Sequence, residues 1–318
     1  MRRFILVGGS GFVGQYVLKE LARTYPNEER YVLDLVKPKQ GFGAKFHFCD
    51  LTQKIDFSFL PQDIVIHLAA RQYHPKPPRN GREAYFFELN LQGTKRLIDK
   101  MSEAHCKTMI YFSTDMVYGL PQELPLRRSH PKCPFGPYGR SKLASEEFLN
   151  ELWDEGYRIS IFRPRMIVGR GRFGLLEKLF WLIKHNLPVP MIGSGKNCYQ
   201  MVSVEDCVNA VVCVIKSGIP NASLNLGSKN PPPIRELLLE LIKEVGSRSV
   251  VFPTWGLGLK WILQFMGSLG VELMFEEQFR IADLEYIVDI SETFEIISWE
   301  PRYSDQEMLI QAYEEYML

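Results

Sequence analysis

Short apolar runs alternate with longer amphipathic stretches through the first 165 residues. FILV (4–7), YVLDLV (31–36), KFHF (45–48), IVIHLA (64–69), TMIYFS (108–113) and RISIFR (158–163) are largely continuous rather than alternating, the pattern of strands covered on both faces. Between them, FVGQYVLKELART (12–24), REAYFFELNLQGTKRLIDKMSEA (82–104) and GRSKLASEEFLNELWDEG (139–156) have helical periodicity and many good helix formers. This alternation predicts an α/β fold, a doubly wound parallel sheet of Rossmann type with right-handed crossovers. Beyond Pro164 the alternation lapses. A Gly/Arg loop (169–174) precedes an apolar helix over 175–186, and VPMIGSG, a helix over 204–216, SLNLG and the break NPPP (230–233) follow. Residues 234–246 and 305–316 again have helical period. The expected organisation is one domain over 1–165, with about 203–228 packing back onto it, and a smaller C-terminal domain from 166–202 and 229–318. The segment 255–270 is the most apolar outside the sheet; it reads as a buried or interface helix, or as a contact for a lipid-like molecule.

Composition narrows the class. With 318 residues, 38 Lys+Arg against 37 Asp+Glu and a formal charge of +1, the chain lacks the basic balance of nucleic-acid-binding proteins. Six cysteines show no CxxC pair and no metal spacing with histidine, so neither a metal site nor a disulfide framework is expected. No apolar run approaches the roughly 20 residues of a membrane span, and the N-terminal apolar pentamer is too short for a signal-peptide core. A cytoplasmic enzyme is expected.

Gly8, Gly11 and Gly14 follow the first strand and open a helix. In that context the glycines permit a tight turn, close approach of backbone amides to a pyrophosphate, and close helix–strand packing. The helix N-terminus adds a partial positive charge. Asp34 ends the second strand 20 residues beyond Gly14, where a carboxylate accepts hydrogen bonds from adenosine ribose hydroxyls and repels a 2′-phosphate. NAD is therefore expected over NADP. Asp50, in CDLT after the third strand, reads either as a contact to the adenine amino group or as a turn cap.

Tyr138 and Lys142 form YxxxK at the start of a helix, one turn apart. A phenol is a poor base near neutrality, and a nearby ammonium stabilises its phenolate. The pair follows STDMVYG (113–119), which closes the fifth strand and places Thr114 at the carboxyl edge, where open α/β sheets bind ligands.

With these residues together, the sequence resembles the extended short-chain dehydrogenase/reductase family, in its NAD-dependent epimerase/dehydratase branch acting on nucleotide sugars. The matching motifs are VGGSGFVG (7–14), Asp34, CDLT (49–52), IHLAA (66–70), NLQGT (90–94), STDMVYG, YGRSK (138–142), FRP (162–164), VSVED (202–206) and LNLGS (224–228). The resemblance implies a catalytic triad of Thr114, Tyr138 and Lys142 and a supporting structural role for Asn90. It implies an NAD site formed by Gly8, Gly11, Phe12, Val13, Asp34, Asp50, Leu51, Leu68, Ala69 and Ala70 with Tyr138 and Lys142. The C-terminal part becomes the substrate domain, the substrate a nucleotide-activated sugar, and the assembly a homodimer.

Three departures bear on chemistry. Dehydratases of this group often carry Glu directly after the position of Asp115; here it is Met116, which cannot be a base, so 4,6-dehydration is not expected. Asp115 itself reads either as an acid or as a local hydrogen-bonding residue. The family's common Asn after the Arg-Pro pair is replaced by Arg165, and a later Arg by Tyr199. Arg170 and Arg172, or the loop with Arg71, His74, Lys76 and Arg79, are the cations expected to meet a diphosphate instead. The leading expectation is an NAD-dependent epimerase or keto-sugar oxidoreductase. The alternatives are a hydroxysteroid-dehydrogenase-like oxidoreductase on a lipid-like alcohol and a non-catalytic NAD-sensing protein.

Overall fold

A computed structural model describes residues 2–73, 76–174, 176–255, 258, 261, 264–265 and 274–318. His74 and most of segment 255–270 lie outside the described residues. The chain runs β1 (Arg3–Val7), α1 (Phe12–Thr24), β2 (Glu29–Asp34), β3 (Lys45–Phe48), β4 (Ile64–His67), α2 (Arg82–Phe87), α3 (Thr94–Glu103), β5 (Thr108–Phe112), α4 (Pro137–Glu151) and β6 (Arg158–Pro164). It continues through β7 (Met166–Val168), α5 (Leu176–Lys184), β8 (Val189–Ile192), β9 (Met201–Ser203), α6 (Val204–Lys216), β10 (Ala222–Leu226), α7 (Ile234–Glu244) and β11 (Val251–Thr254). Helices Glu276–Phe279, Ser291–Ile297 and Asp305–Met317 follow.

Seven strands form one parallel sheet in the order β10-β6-β5-β4-β1-β2-β3. The order reverses direction beside β1, which creates a crevice at the carboxyl edge between β1 and β4. Two apolar layers cover the sheet. Val17, Leu18 and Leu21 of α1 and Cys207 and Val211 of α6 pack with Phe4, Leu6 and Ile66 on one face. Leu97, Ile98 and Met101 of α3 and Leu149 of α4 pack with Ile5, Val65 and Met109 on the other. Residues buried from both sides explain why the strand sequences are continuously apolar. A third cluster, around Phe180, Leu237, Leu241, Leu309 and Tyr313, joins α5, α7 and the last helix. The β7–β9 and β8–β11 pairs are separate small sheets.

Two elements end earlier than their sequence pattern. β4 stops at His67 because the amides of Leu68 and Ala69 both turn to the carbonyl of Val7, at 2.8 and 3.0 Å. β2 stops at Asp34, whose own carboxylate takes the next amide, that of Leu35. The helix expected over 82–104 is instead interrupted by a π-helical stretch, Glu88–Gly93. Such wide turns recur at functional sites, and here the stretch carries Asn90 inward. Its carboxamide accepts from the Arg71 amide (2.8 Å) and donates to the Arg71 carbonyl (3.1 Å) and to Ser141 Oγ (2.9 Å). One side chain thus ties the loop after β4 to α4.

A second tie holds α4 to the sheet. Arg163 of β6 and Glu146 of α4 are both fully buried and joined by hydrogen bonds of 2.7–3.1 Å. The guanidinium also reaches Tyr118 Oη (2.9 Å), the Arg128 carbonyl (3.1 Å) and Ser223 Oγ (3.2 Å). Removing one member of such a pair leaves an uncompensated buried charge, which costs about 3–5 kcal/mol. Glu146→Ala is expected to lower unfolding stability by that amount in urea titration. A loss below about 1 kcal/mol, the scale of an exposed pair, would contradict this account of how α4 is held.

Candidate active site

Gly8 carries a left-handed φ of +83° and lies so close to β4 that an added Cβ would stand 2.4 Å from the Ala69 nitrogen. Only glycine fits that conformation and approach. The first turn of α1 begins at Gly11 with no side-chain cap and no acidic residue, so its outward amides remain available to an anion. Phe12 packs edge-on to Tyr16, while Val13 and Leu68 pack against the core. Asp34 accepts from the Ser10 amide (2.9 Å) and the Leu35 amide (2.7 Å). It braces the glycine loop, and each carboxylate oxygen keeps a second lone pair for a ribose hydroxyl. These features fit a dinucleotide. Asp50 closes a turn: one oxygen accepts from the amide and hydroxyl of Thr52, both at 2.8 Å. Leu51 beside it is buried under Gly93, and Ala69 and Ala70 line the exit of β4.

Across the crevice, Thr114 leaves β5 in extended conformation and its hydroxyl accepts from the Met116 amide at 3.3 Å. Tyr138 lies buried in the first turn of α4, facing Tyr73 and Phe86. Burial, Glu277 and Asp115 push its pKa above that of a free phenol, and Arg172 and the Thr114 hydroxyl oppose them. Lys142 is fully buried; its Nζ donates to the Phe112 carbonyl at 2.5 Å and stands 4.2 Å from the centre of the Tyr111 ring. Burial lowers its pKa to about 7, against the pull of Glu146. The fold therefore places the Lys142 ammonium on the Phe112 carbonyl and beside the Tyr111 ring.

Asp115 is placed against Arg165. Its carboxylate is buried and bonded to the guanidinium of Arg165, which holds it as a counter-ion. Arg165 is itself enclosed between the rings of Tyr199 and Tyr286, 4.5 and 4.3 Å from its central carbon. Thus the two sequence departures, Arg165 and Tyr199, are partners in space. The expected pair Arg170 and Arg172 separates. Arg172 donates to Gln72 Oε1 (2.8 Å) and acts electrostatically on Tyr138. Arg170 faces the other way; its carbonyl accepts from Tyr16 Oη (2.9 Å) and its charge acts on Glu205.

Glu277 is a site residue that the sequence did not point to. It comes from the short helix Glu276–Phe279 and reaches the N-terminus of α4, where its Oε1 lies 1.4 Å from the position of a Cβ added to Gly136. Burial raises its pKa to about 7, opposed by the Tyr73 hydroxyl and the amides of Gly139 and Tyr138. Nothing in the run FEEQF (275–279) distinguishes it from an exposed acidic helix start. Among the described residues no cluster of His, Cys, Asp and Glu is placed to hold a metal, and no helix is long and apolar enough to cross a membrane.

Residues 4–227 match the NAD dependent epimerase/dehydratase family. The chain belongs to that family. Among its relatives, human dTDP-D-glucose 4,6-dehydratase is 30% identical over 275 residues, covering 78% of this chain and 76% of that protein. UDP-glucose 4-epimerase of Lacticaseibacillus casei is 23% identical over 346 residues, covering 96% and 94%. The fold is shared with the UDP-glucuronic acid 4-epimerase of Bacillus cereus, solved in complex with NAD, at a TM-score of 0.77, 19% identity and coverage of 99% and 96%. As a family member the protein is an NAD-dependent enzyme of the extended short-chain dehydrogenase type, and the Gly8 cradle, the uncapped α1 terminus and Asp34 are the groups that fit the cofactor.

Two outcomes follow from this geometry. Asp34→Ala should narrow the preference for NAD(H) over NADP(H) in fluorescence titration, and equal affinities in the unaltered enzyme would contradict the charge argument. Glu277 binds a proton in the folded state between pH about 4.5, its unfolded value, and about 7. Its contribution to stability is thus full below the lower value and lost as pH rises through the upper one. Glu277→Gln cannot titrate, so the thermal midpoint of the variant should gain on that of the parent by a few degrees from pH 5 to pH 8. A gap independent of pH would show that the carboxyl is not held in its neutral form.

Proposed function

We propose that the enzyme is an epimerase or keto-sugar oxidoreductase acting on a nucleotide-activated sugar through Tyr138-assisted hydride transfer. The observation that carries this reading is the pairing of Asp115 with Arg165 next to Met116. Elimination of water needs a base for a carbon-bound proton and an acid for the leaving oxygen. Neither position after Thr114 offers a free group for either task, whereas the Thr114 hydroxyl acts on the Tyr138 phenol, which supports movement of a hydroxyl proton. The names of the human dehydratase and the L. casei epimerase support a nucleotide-sugar substrate.

Bound in the Gly8 cradle, NAD would supply the chemistry of accepting and returning hydride. The chain supplies the rest. Tyr138 takes the substrate hydroxyl proton during oxidation and returns it during reduction. Thr114 orients that hydroxyl from the end of β5. Lys142 steadies the base of the site through Phe112 and, on rotating toward Tyr138, supplies a proton to it. Arg172 places positive charge at the mouth. The raised pKa of Tyr138 in the ligand-free state sets it as a proton donor, the form that a keto substrate requires.

Tyr138→Phe keeps the ring and removes the oxygen. Turnover of a panel comprising UDP-glucose, UDP-N-acetylglucosamine, UDP-glucuronic acid and dTDP-glucose should fall by about 10²-fold or more, the usual scale of general acid–base catalysis, while NAD affinity survives. Near-normal turnover in this variant would remove Tyr138 from the chemistry.

A further inference from the structure

The apolar run over 255–270 has no part in hydride transfer, and its described aromatic residues face outward. Trp255 is 78% exposed, Trp261 73% and Phe265 64%. Trp261 and Phe265 are helical and four apart, so they share one face. Gly258 lies one turn before Trp261, and the Trp255 ring covers it: a Cβ added there would stand 2.4 Å from Trp255 Cε3. The strand leading into the run extends the same surface. Ser249 is buried and Val251 packs on the cluster around Phe180 and Leu237, whereas Val250 and Phe252 are exposed. Pro190, the β8 partner of Phe252, is exposed too. Successive side chains of a strand point to opposite faces, so the outer face of the β8–β11 pair is apolar.

Apolar residues scattered singly on a surface are ordinary, but exposed aromatics gathered this densely mark a contact. Charge decides with what. Between Val245 and Val271 the only charged residues are Arg248 and Lys260, both cations, and the nearest acids are Glu244 and Glu272. Trp and Phe beside cations, with no acid, suit the interface of a bilayer that carries anionic lipid. A second copy of the chain suits this face less, because a two-fold contact would set like charges against each other. The run is also shorter than the roughly 20 residues that a span requires.

We propose that this face docks the enzyme on the surface of a bilayer containing anionic phospholipid. Trp255, Trp261 and Phe265 enter the headgroup region, and Arg248 is drawn to the lipid phosphates. Ten residues after Phe265 the chain is back at the active site. There Phe275 stacks on Tyr73 at 4.3 Å, and Tyr73 meets Tyr138 edge-on at 5.8 Å. Docking therefore holds the substrate side of the enzyme near the lipid.

The test is flotation of the holoenzyme with vesicles of phosphatidylcholine alone, or with about 30% phosphatidylglycerol added. The enzyme should partition into the anionic vesicles about tenfold more strongly than into the neutral ones. Replacing the three aromatics together (Trp255→Ser, Trp261→Ser, Phe265→Ser) should lower that partition by about tenfold or more, with NAD affinity unchanged. A second measurement needs no substitution: phospholipid brominated in its acyl chains should quench the tryptophan fluorescence of the unaltered enzyme. Absence of flotation and quenching, equal partition into both vesicles, or undiminished partition of the triple variant overturns the proposal. So does a dimer in sedimentation velocity that the triple variant dissolves, because the face then belongs to a second copy. None of these readouts requires turnover, so each stands apart from the functional reading above.

Discussion

The site depends on the placement of α4, and α4 is placed by buried polar contacts more than by its apolar face. The Arg163–Glu146 pair fixes the helix to β6, while Asn90 joins Ser141 to the loop that leaves β4. Ser145 adds a third contact, to the Asn90 carbonyl at 2.8 Å. Apolar packing alone tolerates sliding; charged and amide groups buried without water accept few geometries. Since Tyr138 and Lys142 both ride on this helix, their distance from the glycine loop is set by the same contacts. The π-helical turn that brings Asn90 inward is therefore part of the active-site architecture.

Three carboxylates at the sheet edge show how environment separates roles. Asp34 is partly exposed and accepts two backbone amides beside the α1 terminus. Asp115 is buried and paired with Arg165. Glu277 is buried, and burial outweighs the pull of Arg140 and moves its pKa to about 7. The same functional group thus meets three different surroundings at one edge of the sheet.

The fold was largely legible because its strands are buried on both faces and its helices are strongly periodic; α1 and α6 coincide with the stretches 12–24 and 204–216. The glycine loop and Asp34 were legible because their chemistry is local, set by a strand, a turn and a helix in succession. What escaped were features made by contacts distant in sequence. For Asn90 the supporting role was anticipated, but not its partners Arg71 and Ser141, which only the π turn brings within reach. Arg165 and Tyr199, 34 positions apart, became one cation–aromatic contact only on folding, and the loop arginines proved to face different sides. Glu277 lies 139 residues from Tyr138, and no periodicity links them.

The central claim is that this site moves hydride and protons on a sugar without eliminating water. Mass spectrometry of the product formed by the holoenzyme from a nucleotide sugar tests it most directly. The account predicts a product of the same mass as the substrate, or one differing only by the two hydrogens of net oxidation or reduction. A main product lighter by one water would contradict it, and would require a proton donor that the Asp115–Arg165 pair does not leave free.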